Sequence, residues 1–187
     1  MAGTGASRLH VVNIAELARL QFKYLPPFEN RTCRLKRLEA YSPMLVGLWG
    51  LGIDPGRNFG ACSIQDGSLQ LWWGTLPKES QLFRYGVSSY NITRELFANL
   101  RTEGHPAIIE GASYHSKYGQ VGLAECRFGF YLGFVHCGRQ AEIVPPATIR
   151  RIAFGSGKQT GFDLFPALNT NAADAIGCAL TSAGWRR

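Results

Sequence analysis

Three carboxylates in this chain stand where apolar sequence ends or is interrupted, and their settings fit the binding of a divalent cation. Asp54 closes the run Gly52-Ile53-Asp54-Pro55-Gly56. Residues 48–54 read as a strand. Pro55 and Gly56 then turn the chain and leave the acid at the strand end, in the crevice where α/β sheets bind ligands. Glu110 repeats the arrangement, with Ala107-Ile108-Ile109 before it and Gly111 after. If the two strands are parallel neighbours, the acids lie side by side. Unpaired carboxylates at that spacing repel, and a divalent cation is the simplest way to stabilise both as anions. Asp174 lies one turn into Asn171-Ala-Ala-Asp174-Ala-Ile-Gly-Cys-Ala-Leu, a helix otherwise small or apolar. A charge there is costly unless paired or metal-bound. Asn171, three residues earlier, shares its face. Singly, each acid has an ordinary explanation as a turn, a cap or a core ion pair. Together, each in an apolar frame, they do not.

The elements that must position these groups follow from pattern. Leu48–Asp54, Phe59–Gln65 and Ser68–Gly74 read as three strands, with Asp66-Gly67 a two-residue hairpin turn between the last two. Asn91–Arg101 reads as a helix with Gly104 beyond its end. Pro106–Glu110 reads as a buried parallel strand, Gln120–Cys137 as a long glycine-rich apolar helix, and Ala141–Val144 as a further strand. Pro146–Ala153 begins another helix, 154–161 is a glycine-rich loop, and Asn171–Ser182 is the terminal helix. A meander followed by alternating helices and strands implies a mixed α/β sheet of five strands. It forms a domain over residues 46–187, preceded by an extension, 1–45, of uncertain structure. In that extension Arg8–Tyr24 is partly helical in period, Pro26-Pro27 stops any helix, and Arg31, Arg34, Lys36 and Arg37 form a basic cluster. The cluster reads as the solvated face of a helix or as an added phosphate-contacting arm.

At 187 residues, 45% hydrophobic and 18% charged, the chain builds one ordinary core. No apolar stretch reaches the ~20 residues of a membrane helix, so no membrane partner is expected. The net charge of +7 favours a polyanionic partner without choosing among them. Cys33, Cys62, Cys126, Cys137 and Cys178 are scattered with no C-x-x-C pair, which points to reduced thiols and a cytoplasmic protein. An amphipathic basic stretch at 8–25 leaves organellar targeting open.

Taken in order, G-I-D-P-G (52–56), I-I-E-G (108–111) and A-A-D-A (172–175) resemble RuvC-type Holliday junction resolvases of the ribonuclease H-like superfamily. The likeness continues through Val144-Pro145-Pro146-Ala-Thr-Ile-Arg150-Arg151 and Gly155-Ser-Gly157-Lys158, similar to that family's basic stretch before its last helix, and covers roughly residues 46–184. It implies a homodimer holding a four-way DNA junction and cutting phosphodiesters to 5′-phosphate and 3′-hydroxyl ends. Asp54, Glu110 and Asp174 would ligate Mg²⁺ or Mn²⁺, two ions per site, with Asn171 as a further catalytic residue. The long 120–137 helix would pack at the dimer interface. The chain departs from the family in three places. Asn171 stands where an acid or histidine is usual, 159–173 is short and proline-broken where a helix is usual, and about 45 residues precede the first strand.

Around these acids, Lys158, Arg150 and Arg151 are expected to grip DNA phosphates. Ser113, Tyr114 and Lys117 follow Glu110 along the same rim. Tyr114 is placed to stack on an unpaired base and Lys117 to hold a phosphate, with an incidental surface loop as the equal alternative. Gly155-Ser-Gly157-Lys158 is not a nucleotide-binding loop, because Ile152 and Gln159 break that pattern. Two readings stay beside junction resolution. One is a catalytically weak or inactive branched-DNA-binding module, suggested by Asn171. The other is a ribonuclease H-like nuclease acting on flaps or RNA–DNA hybrids.

Overall fold

The computed structural model describes residues 13–29, 33–77, 84–100, 104–112 and 120–184. Its strands are β1 (Lys23–Glu29), β2 (Arg34–Tyr41), β3 (Trp49–Asp54), β4 (Asn58–Gln65), β5 (Ser68–Thr75), β6 (Ala107–Glu110) and β7 (Ala141–Val144). They form one seven-stranded mixed sheet in the order β1-β2-β5-β4-β3-β6-β7. The meander β3–β4–β5 and the extension are antiparallel, while β3–β6 and β6–β7 are parallel. The Asp66-Gly67 hairpin is present, with both residues at positive φ (46° and 93°). That twist matches a two-residue turn.

The extension corrects the expected five-stranded sheet. β1 and β2 add a hairpin to the free edge of β5, and Arg34, Lys36 and Arg37 of the basic cluster lie on a strand, not a helix. The alternation in β2 explains this. Leu35 is buried against one sheet face and Leu38 and Ala40 against the other, while Arg34 and Lys36 remain exposed at its open end. Pro26 and Pro27 fall where the β1–β2 register slips between Leu25 and Phe28, on an outer strand that tolerates missing donors. Among the described residues of the first segment, only Ile14–Leu17 is helical (α1).

Helices cover both faces. On one lie α2 (Arg84–Phe97) and α3 (Gln120–His136), and on the other α4 (Pro146–Phe154), α5 (Gly161–Leu164) and α6 (Thr170–Gly184), with α1 beside the latter group. α2 begins seven residues before the expected Asn91. Gly86 and Ser89 read as poor helix formers, yet each has a use here. The Ser89 hydroxyl donates back to the Tyr85 carbonyl (2.7 Å) and the Thr93 hydroxyl to the Ser89 carbonyl (2.8 Å). Gly86 admits Gly129 of α3, where any Cβ would overlap the Gly86 backbone.

The large apolar residues of α3 divide by face. Phe130 and Phe134 are fully buried, while Phe128 is 60% and Val121 75% exposed, with Leu132 and Val135 on the same stripe. No helix among the described residues is long and apolar enough to cross a membrane.

Candidate active site

The parallel pairing of β3 with β6 sets Gly52 opposite Ile108 and Ile53 opposite Ile109. Asp54 and Glu110 are the next residues on each strand. They leave the sheet side by side, on the face that carries α6. On that face of β3, Gly52 and Asp54 alternate with the buried Leu51 and Ile53, which point the other way into the α2–α3 core.

The missing side chains decide how close α6 comes. A Cβ at Gly52 would overlap the Ala179 nitrogen, and one at Gly60 the Asn171 carbonyl. The helix therefore lies directly on β3 and β4, and its small residues from Ala172 to Ser182 are buried. Ser182 pins its far end, donating to the Pro106 carbonyl (2.7 Å) and accepting from the Leu51 amide (3.1 Å). The near end then sets Asn171 and Asp174 over the two strand-end acids.

Asn171 Nδ2 donates to Asp54 Oδ2 (2.9 Å) and to the Asn58 carbonyl (3.0 Å). Both partners are acceptors, so the amide nitrogen faces the acid. Asp174 Oδ1 accepts the Gly161 amide (2.8 Å) at the start of α5. α5 itself is a single turn fixed by a capping box between Thr160 and Asp163, the short segment expected before the last helix.

Burial pushes Asp54 well above the ordinary carboxylate range, and the negative charges of Glu110 and Asp174 push it further, against the Asn171 hydrogen bond. Glu110 is pushed up to about 7, by burial first and then by Asp174. Asp174 is also raised, chiefly by burial. The site thus holds three acids that crowd one another. None is in an ion pair among the described residues.

Two arginines stand near without quenching them. Arg150 of α4, expected to hold DNA, is half-buried and its charge acts on Glu110 and Asp174. Arg127 was not anticipated. Its Nε and a terminal nitrogen donate to the carbonyls of Glu110 (3.1 Å) and Gly111 (3.2 Å), which fixes the turn after β6. The signal was a lone arginine within the apolar α3 sequence.

Arg151 and Lys158 are exposed, the first on α4 and the second on the loop that leads to Gly161. Ser113, Tyr114, His115 and Lys117 lie outside the described residues, as does Arg31.

The carboxylates of two aspartates and a glutamate offer only oxygen donors, and such sets suit Mg²⁺ or Mn²⁺, while the Asn171 amide nitrogen that faces Asp54 is not a ligand. The acids are within electrostatic reach but do not close on one point. Among the described residues, no three His, Cys, Asp or Glu side chains already form a cage for an ion.

Solved structures match this architecture. The Thermus thermophilus RuvC structure aligns with a TM-score of 0.53 and 18% identity, covering 72% of this chain and 92% of that one. T. thermophilus RuvC in complex with Holliday junction substrate aligns with a TM-score of 0.52 and 16% identity, at the same coverage. The fold is RuvC-like. No family profile and no curated protein sequence matches the chain. At this identity the likeness is one of fold, a mixed sheet flanked by helices that is consistent with the ribonuclease H-like class.

Proposed function

We propose that this chain is a divalent-metal-dependent, structure-selective endodeoxyribonuclease that resolves four-way DNA junctions. The observation that carries the proposal is the meeting of the half-buried Asp54, Glu110 and Asp174 at adjoining strand and helix ends without an ion pair among the described residues. Such a group is expensive as it stands, and a hard cation would relieve it. Asp54, Glu110 and Asp174 would hold Mg²⁺ or Mn²⁺, two ions by the family resemblance. When bound, such ions supply positive charge for the transition state and make water a better nucleophile.

The protein's own groups have distinct parts. Asn171 keeps Asp54 in one rotamer, and the Gly161 amide does the same for Asp174. Arg127 holds the backbone that presents Glu110. Arg150 and Lys158 are assigned to the phosphates on either side of the cut, with Arg151 further out. Ser113, Tyr114 and Lys117 are assigned to the junction centre by their sequence position after Glu110. The likeness to a protein solved with a Holliday junction substrate supports branched DNA as the substrate.

A homodimer is part of this proposal, through the α3 stripe of Val121, Phe128, Leu132 and Val135. Exposed apolar rows of that kind mark association surfaces. Reduced cysteines favour a cytoplasmic setting.

A second reading rests on Asn171. Its amide nitrogen occupies the Asp54 carboxylate as a neutral donor, so the second ion has one carboxylate fewer to bind, and the chain would hold junctions and cut slowly or not at all.

The test is cleavage of a labelled immobile four-way junction in Mg²⁺ and Mn²⁺, with linear duplex, flap and hybrid controls. Symmetric nicks in the junction alone are expected, with the rate reduced about 10³-fold or more in Asp54→Asn, as several kcal/mol of charge stabilisation implies. Tight junction binding with no cutting in either metal would favour the binding module, and preferred cutting of a flap or hybrid would replace the substrate.

A further inference from the structure

We infer that the strip of sheet between Asp54 and the added strand β2 is a second nucleic-acid site, a groove that holds the backbone of the cut strand a few nucleotides from the reacting phosphate. The inference rests on the nuclease reading above and adds a binding surface to it.

The register builds the groove. Asp54 of β3 pairs with Gly60 of β4, Gly60 with Trp73 of β5, and Trp73 with Lys36 of β2. Directly paired residues project from the same face. One row therefore crosses four strands from a carboxylate to an ammonium, with a glycine and a tryptophan between. Three strand spacings of ~4.8 Å give roughly 14 Å from end to end, close to four base-pair rises of B-form DNA.

The N-terminal end of α6 forms one wall, since its Asn171 carbonyl sits directly over Gly60. The opposite wall is β2, where Arg34 and Lys36 share a face two residues apart. The open groove between these walls is about 450 Å³. Asn171 lines it and also donates to Asp54, so the groove adjoins the acid site across that one side chain.

The charge of the lining reverses along the row. At the β3 end stand the acids. The groove itself is lined by two cations, amides, a threonine hydroxyl and Trp73, with no carboxylate among its lining residues. Lys36 makes no ion pair among the described residues. Arg34 is paired with Glu29 across the hairpin (3.1 Å), but both side chains are largely exposed and such a pair exchanges readily for a phosphate. The half-buried Trp73 offers a flat apolar surface for a sugar or base. Both cations come from the extension. With 92% of the RuvC chain aligned to 72% of this one, more than a quarter of this chain lies outside the alignment.

The experiment uses the full chain carrying Asp54→Asn, so that binding is read without cutting. Phosphates of an immobile junction are replaced singly by uncharged methylphosphonates, and binding is measured with and without Lys36→Ala plus Arg34→Ala. One or two phosphates within a few nucleotides of the cut should each weaken binding, and those effects should vanish in the Lys36→Ala/Arg34→Ala protein. That protein's log–log salt slope should also fall by about one to two.

The perturbation sits in the substrate, so a folding defect in the variant cannot imitate the loss of position-specific coupling. Identical phosphate profiles and salt slopes in the two proteins would overturn the groove while leaving the nuclease reading intact. Failure of both proteins to bind branched DNA would overturn the two together.

Discussion

The acid end and the basic end of one sheet face are built by opposite means. Between β3, β4, β6 and α6 the backbone approaches so closely that Gly52 and Gly60 cannot carry a side chain, and Asp54 and Asp174 each accept a hydrogen bond from a neighbour. At the open end of β2 the side chains are not packed in, and Arg34 and Lys36 are exposed. The proposed chemistry at a phosphorus centre would need groups fixed to a fraction of an ångström, which suits the end where packing is tight. Holding a polyanion needs only charge at about the right distance, which flexible side chains on an edge hairpin supply. The first end should therefore be sensitive to volume and pH, and the second to salt.

The largest effect is expected from Gly52→Val. Its side chain would meet the Ala179 amide and the Cys178 Cβ, and backbone cannot move aside cheaply. Urea unfolding should show a loss of about 3 kcal/mol or more, with activity lost alongside. Near wild-type stability would mean that α6 does not lie where the acid geometry requires it.

A smaller effect is expected from pH in the metal-free protein. Glu110 titrates near its ordinary 4.5 when unfolded and at about 7 when folded. The folded state thus binds the proton more tightly. Stability from this group is full below about pH 4.5 and declines as pH rises towards 7, on the order of 3 kcal/mol in all. Asp54 and Asp174 shift in the same direction and steepen the decline. Melting temperatures in chelator at pH 5 and pH 8 check the sign, and added Mn²⁺ should restore more at pH 8 than at pH 5. A metal-free protein more stable at pH 8 would contradict it.

Smaller again is Asn171→Asp. A fourth carboxylate beside Asp54 should tighten Mn²⁺ binding about tenfold and speed cutting, while lowering metal-free stability by about 1 kcal/mol. Unchanged Mn²⁺ affinity would remove Asn171 from the ion's surroundings. The smallest effect is Arg34→Ala on stability. Its exposed pair with Glu29 contributes about 0–1 kcal/mol, so the melting temperature should barely move.

Much of the acid end was legible in the sequence because its constraints are local. A strand that ends in an acid and a turn, written twice, followed by an acid in a helix of small residues, leaves few arrangements open. The same locality gave the Asp66-Gly67 hairpin and the strand Ala141–Val144. The basic end was not legible. In β2, two faces at an outer edge bury different residues at different depths, so Arg34-Leu35-Lys36-Arg37-Leu38 shows no clean period of two. Pro26 and Pro27 also suggested a break where an outer strand simply tolerates them. The start of α2 was hidden because Gly86 and Ser89 are chosen for contact with α3 and for back-bonding, against their helix propensity. Arg127 was missed because its partners are carbonyls of a distant turn, which no spacing announces. The direction of the Asn171 amide depends on two acceptors brought in from β3 and β4.

On the proposed reading, Asp54, Glu110 and Asp174 act together as a binding site for divalent cations. Titration calorimetry of Mn²⁺ into the full chain at pH 8, beside Asp54→Asn and Glu110→Gln variants of confirmed fold, tests it directly. Saturable binding in the wild type with release of protons, weakened at least tenfold in each variant, is the predicted result. Equal Mn²⁺ binding in all three proteins, or none in the wild type, would contradict it.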